Sequence, residues 1–284
     1  MTTPATATTA ERRLSPGAKP SGSIAGLLAA QVLAEVRQAR RVPQFLIGVV
    51  AVPVMLYAMF GLPEAGQIMA GGTDIGAMMF ASLSCYGVVS LAIFTFGVDV
   101  AQERGSGWLR RLHVTPLPMW VYLAGKCAMA VIFTAAILVA TLAVAVLAGG
   151  VRFDPARLVR TCLALVAGTL AFSPMGFTLA FWARPRAAAA IGNLVFLPLA
   201  FASGFFYTLN ALPGFLQDLA HYLPTYHFGQ LVWNQLGPTT DVVAFGSPAP
   251  DPLPVHLAWV FGCFIVFGAL AAAGYRHHLG HEQS

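Results

Sequence analysis

Six apolar runs decide most of what this chain can fold into, because each approaches the length of about 20 residues that a helix needs to cross a hydrocarbon layer. They cover roughly Gln44 to Leu62, Ala77 to Val100, Trp120 to Gly149, Leu158 to Trp182, Ala187 to Leu209 and His256 to Tyr275. None alternates apolar and polar residues as a barrel strand does, and in lipid an unbroken apolar run satisfies its backbone only as a helix. Composition agrees: 57% of the 284 residues are hydrophobic and 10% are charged, against about a quarter charged in ordinary soluble domains. The expected fold is all-α, a polytopic membrane bundle of six transmembrane helices. Residues 1–22 are rich in Thr, Ala and Pro and lack the apolar core of a signal peptide, so they read as a disordered cytosolic tail; residues 281–284 read as a cytosolic tail.

Lys and Arg in the connections set the expected direction of the spans. Arg12, Arg13, Lys19, Arg37, Arg40 and Arg41 precede the first span, Arg104, Arg110, Arg111 and Lys126 lie around the second connection, Arg184 and Arg186 mark the fourth, and Arg276 follows the last. Only Arg152, Arg157 and Arg160 fall on the other side, so both termini are expected in the cytosol of a plasma-membrane protein. Two further pieces are expected to lie along the surface. Residues 23–41 space Ile24, Leu27, Leu28, Val32 and Val36 as one face of an interfacial helix that ends in arginines. On the outside, the stretch from Leu212 to Leu236 breaks at Pro224 into two short amphipathic or re-entrant helices, with Tyr222, Tyr226 and Trp233 suited to an aromatic belt.

One connection concentrates charge. "GVDVAQERGSGWLRRLHVTPLPMW", Gly97 to Trp120, holds Asp99, Glu103, Arg104, Arg110 and Arg111. At 100° per residue from Glu103, Arg104, Arg110 and Arg111 share one arc and Trp108, Leu109 and Leu112 the opposite one, which is the pattern of a short amphipathic helix. Gly105 and Gly107 weaken it by about 1 kcal/mol each, and Pro116 and Pro118 end it. Such a helix needs a surface to lie on, and its residues suit either lipid headgroups, in a hairpin that merely fixes topology, or a soluble partner.

The run from Glu103 to Lys126 resembles the stretch after the second span in permeases of the type-2 ABC exporter family, in Glu103, Arg104, Gly107, Leu109, Leu112, Pro116, Leu117, Gly125 and Lys126. Trp108 stands where the family commonly has Thr, Arg110 where an acidic residue is common, and Pro118 where Ser is common. The stretch "FASGFFYTLNALPGFLQDLAHYLPTYH" is similar to the family's passage from the fifth span into its outer helices, through Gly204, Phe206, Leu212, Pro213 and Pro224, with Tyr207 in place of a frequent Pro. The resemblance covers residues 23–280 as one permease domain. It implies an exporter of hydrophobic or amphiphilic compounds, drug- or antibiotic-like, built from two permease copies and two ABC ATP-binding subunits. It also implies an ATPase-coupling element, with Glu103 and Arg104 at the hinge, Trp108, Leu109, Arg110, Arg111 and Leu112 as contact face, Gly107 within it, and Pro116 resetting the chain.

The sequence has no GxxxxGK[ST] loop, HExxH, GxSxG or GxGxxG. No cofactor is therefore expected in this chain, ATP and magnesium belong to the partner, no nucleic acid is expected as a ligand, and no catalytic or metal site is assigned. Cys85, Cys127, Cys162 and Cys263 read as small buried hydrophobes, and His277, His278 and His281 as a solvated tail. Asp99 and Lys126 lie near span ends, where Lys126 can snorkel. The candidate translocation path is lined by Ser82, Ser84, Tyr86, Ser90, Thr95, Asn193 and Ser203, on the second and fifth spans. The alternatives are an exporter of lipid or cell-envelope precursors and, in a different class, a membrane enzyme or a non-transporting anchor; an enzyme requires His, Asp or Glu converging at one membrane face.

Overall fold

A computed structural model describes residues 24–41, 43–113, 118–246 and 251–282; the tail read at 1–22 and Pro116 lie outside the described residues. Among those residues the fold is all helical, with no strand beyond one antiparallel bridge between Ile68 and Asp74. Helix α1 spans Ile24–Arg41, and α2, Pro43–Leu56, runs on through a π-helical turn at Tyr57–Gly61. Helix α3, Ile75–Leu91, passes through a π-helical stretch at Ala92–Asp99 into α4, Val100–Gly105, followed by the short α5, Trp108–His113. Then come α6, Met119–Leu147; α7, Pro155–Trp182; α8, Ala188–Ala202; α9, Gly214–Ala220; α10, Pro224–Leu236; α11, Thr239–Gly246; and α12, Leu253–Glu282.

Among the described residues, four helices are long and apolar enough to cross a membrane: Ile75–Gly105, Met119–Leu147, Pro155–Trp182 and Leu253–His278. The runs expected as first and fifth spans appear as shorter apolar helices, Val49–Glu64 and Ala188–Ala202. Hydropathy continues past Ala202 to Leu209, but the backbone does not: Gly204 takes a φ of +77°, and the amides of Gly204 and Phe205 turn back to the Phe201 and Ala200 carbonyls at 3.0 and 3.3 Å, which closes the helix.

Sequence explains where the helices start and how they tolerate proline. Asp74 caps α3 by accepting from the Gly76 amide, and Asp154 caps α7 by accepting from Arg157, with Pro155 in the first turn. Inside α7, Pro174 cannot donate to the Leu170 carbonyl, and the Ser173 hydroxyl does so instead at 2.8 Å.

The helix Ile75–Gly105 is the mast of the bundle: its most apolar stretch is 89% buried, against 17% for α12, which stands largely open on the outside of the bundle. Gly176 lets α7 press on the π-helical stretch, because a Cβ there would stand 1.9 Å from the Ala92 carbonyl oxygen. Hydroxyl and indole donors stitch the other contacts: Thr134 pairs with Thr169 at 2.7 Å, Thr178 donates to the Phe267 carbonyl at 2.8 Å, and Trp182 donates to Leu270 at 2.8 Å.

Pro224 does separate two short helices, but α10 is not a surface element. It is buried against α3, α7 and α12, with Tyr226 0% and Trp233 1% exposed, and only Tyr222, before it, is open. The Trp233 indole finds its partner inside, on the Ser82 hydroxyl at 2.8 Å, and Phe228 packs edge-on to Phe172. An amphipathic pattern marks a polar side; here Thr225 meets Ser203 and His227 meets His256 inside the bundle rather than water or headgroups.

Asp241 on α11 ties down the loop before α3. Its carboxylate accepts from the Gly71 amide at 2.6 Å and the Thr73 amide at 2.9 Å. Burial raises a carboxyl's pKa, but Thr73 and Gly71 facing the charge, with Arg157 nearby, outweigh it and hold Asp241 below the usual range. Its stabilisation is therefore complete above the unfolded carboxylate pKa near 4 and is lost as pH falls through the lower folded value. Asp241→Asn is expected to cost about 1.5–3 kcal/mol at pH 7. The gap in thermal midpoint from the parent protein should shrink on acidification; a pH-independent gap would remove charge from the explanation.

Candidate functional site

The charged connection does not form one helix. Helix α4 ends at Gly105, Gly107 takes a φ of +75° that only glycine adopts freely, and α5 restarts at Trp108. That turn resets the helical phase, so the single wheel read from Glu103 through Leu112 does not describe the residues on both sides of it. The structure divides the island into an inward half and an outward half.

Glu103 and Arg104 turn inward. Glu103 accepts from Lys126 Nζ at 2.6 Å and from the Tyr122 hydroxyl, both on α6. Lys126 also donates to Glu35 of α1 at 3.0 Å, and Gln31 donates to the other Glu35 oxygen at 3.1 Å. Lys126 is 4% and Glu35 9% exposed, and Asp99 lies within electrostatic reach of all three charges. Lys126 therefore does not snorkel; it is the buried cation that locks α1 and the mast to α6. Gly125 allows the approach, since a Cβ there would stand 2.4 Å from Gln31 Cγ.

Arg104 fastens the opposite side of the mast. Its guanidinium donates to the carbonyls of Phe181, at 2.7 Å, and Ala183, and meets His278 Nε2, which itself lies 2.7 Å from the Phe181 oxygen. The carbonyls close α7, whose last turn has no further helical donors, and a cation there also complements the helix dipole. One arginine so joins the ends of α4, α7 and α12.

The outward half is α5. Trp108 is 45% exposed and Arg111 is exposed, whereas Leu109 is buried at 7% and Leu112 packs on the main core. The side chain of Arg110 lies outside the described residues. Beside α4 opens a cleft of about 860 Å³ whose walls include Gln102, Gly105, Arg184, Pro185 and Arg186. At this end of the molecule an anchored hinge thus carries an exposed aromatic and a basic rim, a combination suited to receiving another macromolecule.

The candidate path residues do not share one cavity. Ser82, Ser84, Thr95 and Ser203 are buried within the chain, Ser82 under Trp233 and Ser203 against Thr225. Tyr86 packs on Phe196 and Phe206, Ser90 is half-buried, and Asn193 is exposed with its amide on the Ala189 carbonyl. Two apolar cavities lie elsewhere. One of about 470 Å³, between α6, α7 and α12, is lined by residues including Leu123, Phe177, Phe264 and Tyr275; one of about 370 Å³, between α7 and α8, includes Met175, Leu179, Ile191 and Val195.

Sequence reasoning passed over Glu35 and Tyr122, and it read His278 as part of a solvated tail, whereas its ring meets Arg104 and the Phe181 carbonyl. Glu35 carried a signal: it is the only acid in α1, and it follows Leu28 by seven residues and Val32 by three, which puts it on the apolar stripe. Tyr122 and His278 carried none, because their partners lie 19 and 174 residues away.

The family profile described as ABC-2 type transporter matches residues 27–235. A Bacillus subtilis protein, YvfS, named as a transport permease, is 25% identical over 235 residues, which is 82% of this chain and 92% of that one. An Escherichia coli K12 protein, YbhR, named as a multidrug ABC transporter permease, is 27% identical over 206 residues, 68% of this chain and 51% of that one.

Proposed function

This chain belongs to the ABC-2 type transporter family, and on that premise we propose that it is the permease subunit of an ATP-driven exporter moving a hydrophobic or amphiphilic, drug-like compound out of the cell. The protein is a multi-pass membrane protein of a family that works with an ATP-binding partner. In this reading the two shorter apolar helices complete six spans, both termini face the cytosol as the distribution of Lys and Arg favours, and two copies assemble with two ATPase subunits. ATP and magnesium are held by those subunits, since the sequence has no phosphate loop.

The observation that carries the reading is the division of the island. Glu103 and Arg104 are spent on α1, α6, α7 and α12, so a push on α5 reaches four helices through one rigid hinge, while Trp108 and Arg111 stay exposed as contact groups. Leu109 and Leu112 seat α5 on the core, and Gly107 turns the chain into it; Arg110 and Pro116 belong to the element by the family resemblance alone. Apolar cavities support an apolar cargo better than a sugar polymer, and the polar groups Ser90 and Asn193 remain candidate path contacts at a face shared by two copies.

Co-expression with an ATP-binding subunit, followed by reconstitution into proteoliposomes, tests the function directly. The expected result is a stable complex and ATP-dependent accumulation of an amphiphilic dye in inside-out vesicles. No complex, with dye movement indifferent to ATP, rejects it. Trp108→Ala is expected to weaken the complex by roughly 2 kcal/mol, about thirtyfold in affinity, read by titrating the ATPase subunit onto immobilised permease.

A further inference from the structure

At the end opposite the island, three residues converge that no part of the transport reading uses. His256 opens α12 and His278 closes it against Arg104, so by helical rise the two ends are about 33 Å apart. The rings of His227, on α10, and His256 meet with their Nδ1 atoms 2.8 Å apart, and both side chains are buried, at 0% and 1% exposure. One ligand atom each from His227, His256 and the Asp251 carboxylate all lie within 4.8 Å of one another.

The hydrogen bonds leave this cluster chemically incomplete. His227 Nε2 sits 3.0 Å from the His221 carbonyl, which can only accept, so the one proton of a neutral His227 belongs there and its Nδ1 carries a lone pair. The 2.8 Å contact then consumes the Nδ1 proton of His256, and His256 Nε2 is left buried with no hydrogen-bond partner. The two buried rings are thus held together through one shared proton.

We propose that His227, His256 and Asp251 form a binding site for a divalent cation of the zinc class, bridging α10 to α12. Two imidazoles and one carboxylate are a zinc ligand set, and three protein ligands leave a fourth position for water. A cation replacing the shared proton takes one lone pair from each ring and needs nitrogens about 3.3 Å apart, a half-ångström opening from the present contact. The surroundings already orient the ligands. The His221 carbonyl fixes the tautomer of His227, the Trp259 ring stacks on it at 5.2 Å and 9°, and His221 Nδ1 lies 3.7 Å from the Asp251 carboxylate.

The site stands independently of transport, and so does its test. Untagged protein stripped with a chelator is titrated with Zn²⁺ in detergent, with Mg²⁺ and Ca²⁺ as controls, and bound metal is counted by mass spectrometry. One Zn²⁺ per chain, a higher thermal midpoint with zinc alone, and a Co²⁺ derivative showing tetrahedral d–d bands without thiolate charge transfer are expected. His227→Gln should weaken binding at least a hundredfold, and Asp251→Asn, at a half-exposed residue whose loss leaves the buried pair intact, at least tenfold. Zinc binding unchanged in Asp251→Asn and in the His227→Gln, His256→Gln double variant would reduce the metal to an adventitious ion and overturn the proposal, as would no binding by the folded parent protein.

Discussion

Lys126→Met is expected to lower the unfolding free energy by about 3–5 kcal/mol, the range for removing one partner of a buried ion pair. The cause is specific: Glu35 and Glu103 approach the same ammonium at 3.0 and 2.6 Å, and without it two carboxylates on different helices face each other with little water between them. The lost attraction is only part of the cost; most of it is the exposure of each acid to the other in a medium that screens poorly. A triple variant that also carries Glu35→Gln and Glu103→Gln should therefore recover most of the loss, because neutral amides of the same shape still reach Gln31 and Tyr122. Thermal unfolding in detergent, with limited proteolysis of α1 as a second readout, separates these cases. A single variant within about 0.5 kcal/mol of the parent would mean that the cluster is hydrated, and α1 would lose its anchor in this account.

That cluster also shows how far the sequence could be read. Long apolar runs fixed the existence and approximate ends of the helices at 75–105, 119–147, 155–182 and 253–278, because crossing lipid makes length and hydropathy decisive. Where the backbone itself intervenes, the runs mislead: the left-handed Gly204 closes α8 although apolar residues continue to Leu209. Amphipathicity identified α1 and α10 as helices but not what they would meet. The polar stripe of α1 was legible, yet Glu35 on its apolar face means little until Lys126, 91 residues away, comes opposite. Equally, His227 and His256 are scattered in sequence and adjacent only through the packing of α10 against α12. At the island, spacing from Glu103 to Lys126 was informative, and the positive φ of Gly107 was the element that a helical wheel could not anticipate.

Reversing the two outward arginines should separate docking from architecture. Arg110→Glu combined with Arg111→Glu is expected to leave membrane insertion and thermal stability unchanged and to abolish both recovery of the ATP-binding subunit and export, because Arg111 is exposed and the hinge contacts are made by Glu103 and Arg104. Arg104 supplies the contrast. Its fork reaches the Phe181 and Ala183 carbonyls together and meets His278, and a lysine ammonium cannot reproduce that planar geometry. Arg104→Lys should cost about 1.5–3 kcal/mol, the value of hydrogen bonds to a charged group, towards the lower end because the site is only partly buried. It should retain the ATPase subunit while lowering export per ATP hydrolysed, since α4 would then move without carrying the ends of α7 and α12. If Arg104→Lys instead lost the subunit at unchanged stability, Arg104 would belong to the docking face; if the reversed pair kept full export, α5 would be a topology signal and nothing more.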